Sequence, residues 1–523
     1  MAQLSCVVCS ATLRGVKAIP VSVEVVITSG IPSFSIVGMP DVAIQESRER
    51  VRAAIKASGY SMPSDRIVVN LAPGALKKRG SGFDLPIALG ILAATKQIPS
   101  VHLENTLVTG ELSLAGQARA PEGLLAFQYC AKDLGLRLIT GTPEEDVVLF
   151  SEEEFSVLDH LGKARNAELS NVCKNSEPCV HPTSDFSEVR GHEVAKRALQ
   201  IAAAGDHGVL MVGPPGSGKT MLARCFAGIL PPLTEEQCYE SALIHSVAGE
   251  SVTPLLAGIR PFRDPHHSCT QAGLLGGGTP VKPGEVSLAH NGVLFLDELA
   301  EFKSAVLQGL RQPLEEGIVR INRADGLYEF PARFTLIAAT NPCPCGYFGD
   351  PDHECRCSET RIHAYQNRIG GPLLDRIDIR IEVWSATGME LIENTPSQST
   401  QTLREGVMVA REFSQWRKEK HSSSSASQGS DTLLGKLSPA QSSFSQGEDS
   451  PRSFTRILQG CQFDDTTASF FSSLIQAHKL NARSVVKTLL VARTIADLDQ
   501  KEQVGIDHLS EAYTLRFQGE LLK

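Results

Sequence analysis

The sequence predicts a multidomain α/β protein, and three observations carry the prediction. Residues 209–220 read VLMVGPPGSGKT, an apolar run entering a glycine-rich turn that matches G-x-x-x-x-G-K-[ST] from Gly213 to Thr220. That pattern is a phosphate loop set between a strand and a helix. Residues 292–299 read GVLFLDEL, a buried strand that ends in Asp297 and Glu298. The chain has 523 residues, more than one core accommodates, so about two to four domains are expected.

Composition narrows the class. Apolar residues make up 42% of the chain, as in ordinary globular proteins. The net charge is -9 and the pI about 5.9, so no global basic field is present. Nucleic-acid binding would have to come from local patches or from a ring of subunits facing a pore. No run approaches a membrane span, and MAQLSCVVCS lacks the basic start of a secretory signal. The expectation is a cytoplasmic protein with no membrane partner. Thirteen scattered cysteines fit a reducing compartment, with free thiols and room for one metal site rather than a disulfide framework.

Residues 1–165 read as one α/β unit. VKAIPVSVEVVITSGIPSFSIVGMP alternates and is β-branched, hence strands. DVAIQESRERVRAAIKASGY is an amphipathic helix capped by Asp41 and ended at Gly59. RIVVNLAP is a strand, FDLPIALGILAATKQ a helix with one buried side, LVTGELSLAG a strand and turn, and GLLAFQYCAKDLG a helix. Residues 166–184 form a polar linker in which Cys173, Cys179 and His181 could hold a metal, the plainer reading being loop thiols.

In the second unit, 185–390, Asp185 and Ser187 are expected to cap a helix running from Val194 to Ala204. The backbone of Gly213, Pro214, Pro215, Gly216, Ser217 and Gly218 is expected to cradle phosphates, with no Cβ in the way at the glycines. Lys219 would reach the β- and γ-phosphates of ATP and Thr220 would hold Mg²⁺. MLARCFAGIL then gives the helix whose N-terminus faces them. Asp297 would hold the Mg²⁺ water shell and Glu298 would polarise the attacking water. The stretch between, with Gly276, Gly277 and Gly278 in a row, reads as a flexible loop or hairpin. His266 and His267 within it read as orienting groups rather than metal ligands.

AEFKSAVLQGLRQPLEEG reads as a helix broken by Pro313, and IVRINRADGLYEFPARFTLIAAT as a hairpin turning at Asp325-Gly326 before an apolar strand. Cys343, Cys345, Cys355 and Cys357 follow as two C-x-C pairs. Four thiolates so spaced can close a tetrahedral Zn²⁺ site, although C-x-C is tighter than the usual C-x₂-C. His353 is a substitute ligand; unbound thiols and a redox pair are the other readings. The third unit, 391–523, is helical, with a Ser-rich polar insert at about 421–452 that reads as disordered. Leu489, Leu490, Ile495 and Leu498 read as core.

SFSIVGMPD, VNLAPGALKKRGSGFDLPIALGIL and TGELSLAGQARAPEGLLA resemble the Lon-protease-like, ribosomal S5 domain 2-like domain that opens the magnesium-chelatase-like AAA+ ATPases of the YifB/ComM family. Lon peptidases use a Ser-Lys dyad. The nucleophile's place falls in 80–85, where Ser81 has a different context, and the lysine's place in 124–127 contains no Lys. The resemblance therefore implies a structural or DNA-contacting domain, with an ATP-dependent protease as a remaining alternative.

RPFRDPHH, PGEVSLAHNGVLFLDELAEF, TLIAATNPCPCG and NRIGGPLLDRIDI are similar to the ATPase core of the same family. The resemblance places Val189, Arg190 and Gly191 at the adenine pocket and Asn341 as sensor 1 at a strand tip. It makes Arg376 the arginine finger reaching a neighbour's ATP, with Arg368 as runner-up. Arg483 becomes the sensor 2 lid arginine, with Arg493 either its substitute or a structural salt bridge. It turns the insert and the hairpin toward a ring pore, making Lys282, Arg320 and Arg323 candidate DNA contacts. It implies a hexameric ring motor that hydrolyses ATP and drives branch migration of single-stranded or branched DNA, integrating transforming strands. The competing class is a metal-insertion motor, since magnesium chelatase shares the core, and a nucleotide-dependent scaffold is a further one.

Overall fold

A computed structural model describes residues 4–143, 155–166, 184–324, 326–385, 398–425 and 451–517. Cys173, Cys179 and His181 lie outside the described residues.

The N-terminal unit is a seven-stranded mixed sheet in the order Ser33–Val37, Arg66–Ala72, Lys17–Thr28, Leu4–Arg14, Thr106–Val108, Arg137–Thr140, Phe155–Val157. Its longest ladder pairs Leu4–Arg14 with Lys17–Thr28 in antiparallel register, Val8 opposite Val23. The strand at Leu4–Arg14 is not prominent in the sequence, because Cys and Ser interrupt its β-branched residues. The helix Val42–Ala57 starts where Asp41 accepts the Ile44 N–H at 2.9 Å and ends before Gly59, which has a φ of 80°. The helix Asp84–Ala94 departs from the expected one-sided burial: all eleven residues are buried. It is the central helix of this domain, and its Gly90 lets Val25 and Val8 approach the backbone.

The second unit is a five-stranded parallel sheet in the order Phe262–Arg263, Val293–Leu296, Thr335–Thr340, Val209–Val212, Ile379–Glu382. The strands before the phosphate loop and before Asn341 are neighbours, with Val212 opposite Thr340. The central strands are fully buried apolar runs, as a parallel sheet covered on both faces requires. Ligands bind such sheets beyond the strands' carboxyl ends, where Gly213, Asp297 and Asn341 emerge.

Several local expectations are corrected here. His192, in the left-handed region at φ 60°, stands at the start of the helix Glu193–Gly205, so Ser187 does not cap it, while Asp185 caps only the short turn Phe186–Glu188. The glycine run does form a hairpin, Gly276–Gly277 pairing with Lys282–Pro283, but the stretch before it is more ordered than a loop, with an edge strand of the main sheet at Phe262–Arg263 and short helices. Pro313 lies inside a helix, Arg311–Glu316; the break falls at Leu310, one turn earlier. Proline has no N–H for the Gly309 carbonyl, so the disruption appears on its N-terminal side. In the hairpin, Gly326 pairs with Arg323 as part of the strand rather than the turn; Asp325 lies outside the described residues.

The C-terminal helices Thr400–Ser425, Pro451–Cys461, Asp465–His478, Ala482–Leu498 and Ile506–Phe517 pack on the ATPase core, sharing one apolar cluster with Phe226, Val209 and Leu199. Leu489 and Ile495 sit in its centre and Leu498 packs against it. The expected disorder from about 421 is corrected at its start, since the helix continues to Ser425; residues 426–450 lie outside the described residues. No described helix is long and apolar enough to cross a membrane.

The N-terminal unit docks on the ATPase core. Leu125 joins Leu233, Cys238 and Ala242 in an apolar cluster, and the Gly123 N–H donates to the Ser246 carbonyl at 2.9 Å. Arg79 lies over the Tyr328 ring of the hairpin at 5.6 Å.

Candidate nucleotide site

The phosphate loop has the backbone that its sequence demands. Gly216 and Gly218 have φ of 78° and 85°, where a side chain would be strained. A Cβ on Gly213 would lie 2.0 Å from the Val383 carbonyl oxygen. The helix Lys219–Ile229 begins directly after Gly218, so its partial positive charge faces the loop.

Lys219 is buried, 8% exposed. Its ammonium folds back onto the carbonyls of Gly213 at 2.9 Å and Pro214 at 2.7 Å, and reaches Ser217 Oγ at 3.3 Å and Asn341 Oδ1 at 3.4 Å. Burial pushes its pKa down to about 8, with Asp297 pulling the other way. A desolvated cation whose direct partners are neutral oxygens suits an anionic ligand. The Thr220 hydroxyl donates to Asp297 Oδ2 at 2.8 Å, and the Glu298 N–H donates to Asp297 Oδ1 at 2.9 Å. Hydroxyl and carboxylate thus converge as a hard-oxygen pair that fits Mg²⁺.

Glu298 sits in the left-handed region at φ 51°, a conformation that costs energy in a non-glycine residue. Its Oε2 lies 3.2 Å from His267 Nδ1, and the His267 ring packs on His266 at 4.0 Å. The histidine pair therefore orients a neighbour. Asp264 was not singled out in the sequence. Burial, and Asp297 beside it, raise its carboxyl pKa, which marks a third acid at the site beside Asp297 and Glu298. Only its place after a two-residue strand could have shown it.

The other expected site residues are distributed as follows. Arg376 and Arg483 meet at one carboxylate: both bind Glu315 Oε1, Arg483 at 2.7 Å, and Arg376 also donates to the Pro372 carbonyl at 2.6 Å. Arg368 pairs with Glu301 at 3.3 Å. Arg493 is buried between Asp497 and the carbonyls of Glu502 and Lys501, a structural role. Lys282 is bound to Glu122 of the N-terminal unit at 2.8 Å. Arg320 is held by Glu316 and by Glu329, the latter at 3.0 Å, while Arg323 is exposed near the hairpin tip.

The sulfurs of Cys343, Cys345, Cys355 and Cys357 lie within 4.8 Å of one another, a group able to hold a metal ion. His353 is not part of it; it faces Asp350 at 3.3 Å and stacks on Tyr347, so the substitute-ligand expectation is corrected. In the N-terminal unit the Ser81 hydroxyl donates to the Glu111 carboxylate. Leu124–Phe127 opens a helix with Leu125, Ala126 and Phe127 buried.

Fold and site define a magnesium-chelatase-type AAA+ protein. Residues 185–391 match the family model described as magnesium chelatase, subunit ChlI; residues 23–143 match subunit ChlI of Mg-chelatase, and residues 397–516 its C-terminal model. The chain is 38% identical over 518 residues to the uncharacterized protein YifB of Escherichia coli K12, covering 97% of this chain and 96% of that one. It is 37% identical over 530 residues to the competence protein ComM of Haemophilus influenzae, covering 99% and 98%. The magnesium-chelatase 67 kDa subunit of Heliobacterium mobile is 28% identical over 196 residues, 32% of this chain and 29% of that one. The chain belongs to the YifB/ComM family of magnesium-chelatase-like proteins, whose AAA+ core is of the ATPase type.

Proposed function

We propose that the protein is a ring-forming motor that hydrolyses ATP and works on DNA as a branch-migration helicase, promoting integration of transforming strands. One observation carries the hydrolytic half: Lys219, Thr220, Asp297 and Asn341 converge at the carboxyl ends of adjacent parallel strands. Lys219 and the loop N–H groups bind the phosphates and Thr220 and Asp297 hold Mg²⁺, whose charge offsets that of the transferring phosphoryl group. Glu298 accepts the proton of the attacking water, and Asn341 orients that water or the γ-phosphate. Arg376 acts on a neighbouring protomer's nucleotide and Arg483 reads the γ-phosphate as the lid arginine, so turnover needs a ring, hexameric in this reading.

The DNA half is supported by the full-length likeness to a protein named for competence and by the hairpin carrying Arg320 and Arg323. The domains are read as a Lon-like, S5 domain 2-like unit to 165 without the peptidase dyad, a linker to 184, the ATPase core to 390 and a helical lid. Metal insertion is the second reading, favoured by the descriptions of all three family models. The N-terminal domain does not argue against it, since that domain too matches a chelatase description; the one-third coverage of the 67 kDa subunits does.

The test assays one preparation, with and without Lys219→Ala, for ATP hydrolysis and three-stranded branch migration. The native protein is expected to do both, stimulated by forked or single-stranded DNA, and the variant neither. Hydrolysis indifferent to every DNA, with no strand exchange, sinks the DNA half.

A further inference from the structure

The four-cysteine cluster stands against the nucleotide site, and its dimensions specify a ligand. Zn–S bonds of about 2.3 Å put the sulfurs of a tetrahedral site about 3.8 Å apart. Here Cys343 Sγ lies 3.3 Å from Cys345 Sγ and 3.7 Å from Cys355 Sγ, and Cys345 Sγ lies 3.6 Å from Cys355 Sγ. All are free thiols. The chain is shaped to bring them together. Cys343 accepts the Gly346 N–H at 3.0 Å through its carbonyl, closing a tight turn that Gly346 completes at φ 88°. Backbone N–H groups of Tyr347 and Arg356 point at the Cys345 sulfur, and that of Cys357 at the Cys355 sulfur. Such donors stabilise thiolates.

The same segment touches the catalytic groups at two points. Cys343 is two residues beyond Asn341, whose Oδ1 faces Lys219 at 3.4 Å. Pro342 between them is fixed by the Gln366 side chain, which donates to its carbonyl at 3.0 Å. Gly346 packs on the phosphate loop so closely that a Cβ there would lie 2.5 Å from Pro215 Cδ. Between the strand end at Thr340 and the helix at Glu359 the backbone forms neither helix nor strand, and the sulfur cluster joins its two ends, Cys343 and Cys345 to Cys355.

We propose that Cys343, Cys345, Cys355 and Cys357 bind one Zn²⁺ as thiolates, and that this centre positions Asn341 and the phosphate loop for hydrolysis. The second half rests on the nucleotide reading above. The four thiols release their protons on binding, and the ion neither changes valence nor meets substrate. These cysteines are positioning residues.

The test uses the full chain purified under reducing conditions without added metal. It is expected to hold about one zinc per chain, and cobalt exchanged into it should show the intense visible bands of tetrahedral thiolate ligation. Cys355→Ser should lose the zinc and about tenfold or more of the hydrolysis rate, while affinity for a fluorescent ATP analogue stays within a few-fold. Asn341→Ala should lose hydrolysis and keep the zinc. Cys269→Ser, outside the cluster, should change neither. Should Cys355→Ser fail to fold, chelation and readdition of zinc to the native protein replaces it, with hydrolysis expected to fall and return at constant circular dichroism. Absence of zinc, or iron in its place, overturns the site. A zinc-free protein that hydrolyses at the native rate overturns the coupling. If the native protein does not hydrolyse ATP, the nucleotide reading fails instead, and zinc content and the cobalt spectrum still decide the metal site.

Discussion

His267 holds Glu298: the imidazole Nδ1 lies 3.2 Å from Oε2 of a glutamate whose backbone is already strained at φ 51°. The backbone sets where the side chain starts, and the imidazole stands beside its carboxylate. If Glu298 is the base proposed above, the pair should fail in two distinguishable ways. Glu298→Gln should keep nucleotide affinity and lose about a hundredfold or more of turnover, because the proton acceptor is gone. His267→Ala should lower kcat by about tenfold with KM nearly unchanged, and His267→Gln, which keeps a donor, should recover part. Steady-state ATPase kinetics check both; an unchanged kcat in His267→Ala makes the pair incidental.

Lys219 gives a pH signature. Its pKa is lowered by burial from 10.5 to about 8. Between those values the folded protein has lost the proton that the unfolded chain keeps, so this group's burial penalty is present below pH 8 and relieved as pH rises. A triphosphate beside the amine reverses the shift, because its charge favours the ammonium. ATP binding at about pH 8.5 should therefore take up a proton, and affinity should fall as pH rises above 8. Calorimetry in buffers of different ionisation enthalpy measures the uptake, and Lys219→Arg should abolish it. Affinity flat from about pH 7 to 9.5 contradicts the assignment.

Asp497 is the acid on which two buried guanidiniums depend. It meets Arg417 at 3.0 Å and Arg493 at 3.1 Å, all three side chains under a tenth exposed. Asp497→Ala leaves both cations without their partner, at a cost of about 3–5 kcal/mol. Denaturant unfolding should show that loss. A change below about 1 kcal/mol would mean that the carbonyls of Glu502 and Gly460 suffice.

The parts legible in the sequence share a local cause. Gly213–Thr220, the acids after VLFL and the caps at Asp41 and Gly59 are read from neighbouring residues, because their chemistry is set within one turn of chain. What was missed depends on distant partners. Nothing near Arg376 or Arg483 in sequence announces that both end on Glu315, and Asp264 becomes a site residue only because its strand is an edge of the sheet. Asp84–Ala94 shows the same limit: after Asp84 its residues are apolar throughout, so it has no face to read, and only the surrounding sheet explains it. Leu4–Arg14 was overlooked because alternation in it is carried by Ser and Cys.

The hairpin separates two kinds of cation. Arg320 is held by Glu316 and Glu329, Lys282 by Glu122, and Arg323 is exposed near the tip. Arg323→Ala should therefore weaken DNA binding most, and the slope of log affinity against log salt should become shallower by about one. Lys282→Ala should leave that slope nearly unchanged, its loss falling on the contact with the N-terminal unit. Fluorescence anisotropy with single-stranded DNA across a salt series gives both numbers. Equal slopes in Arg323→Ala and the native protein remove the hairpin from the DNA path.

Arg376 and Arg483 converge on Glu315 within one chain, so a single carboxylate gathers both cations. A guanidinium that completes a neighbour's site offsets charge only when two protomers meet. Lys219→Ala lacks the cradle's cation but keeps both arginines; Arg376→Ala lacks the proposed finger but keeps the cradle. Each alone should be inactive, Arg376→Ala with nucleotide binding largely intact. Mixed, they should form some interfaces with an intact cradle facing an intact finger, and hydrolysis should return in part. Glu315→Gln should leave assembly possible and shift the concentration at which specific activity rises. An Arg376→Ala protein that turns over at the native rate removes the finger assignment, and mixtures that stay silent place both residues in the same protomer's site.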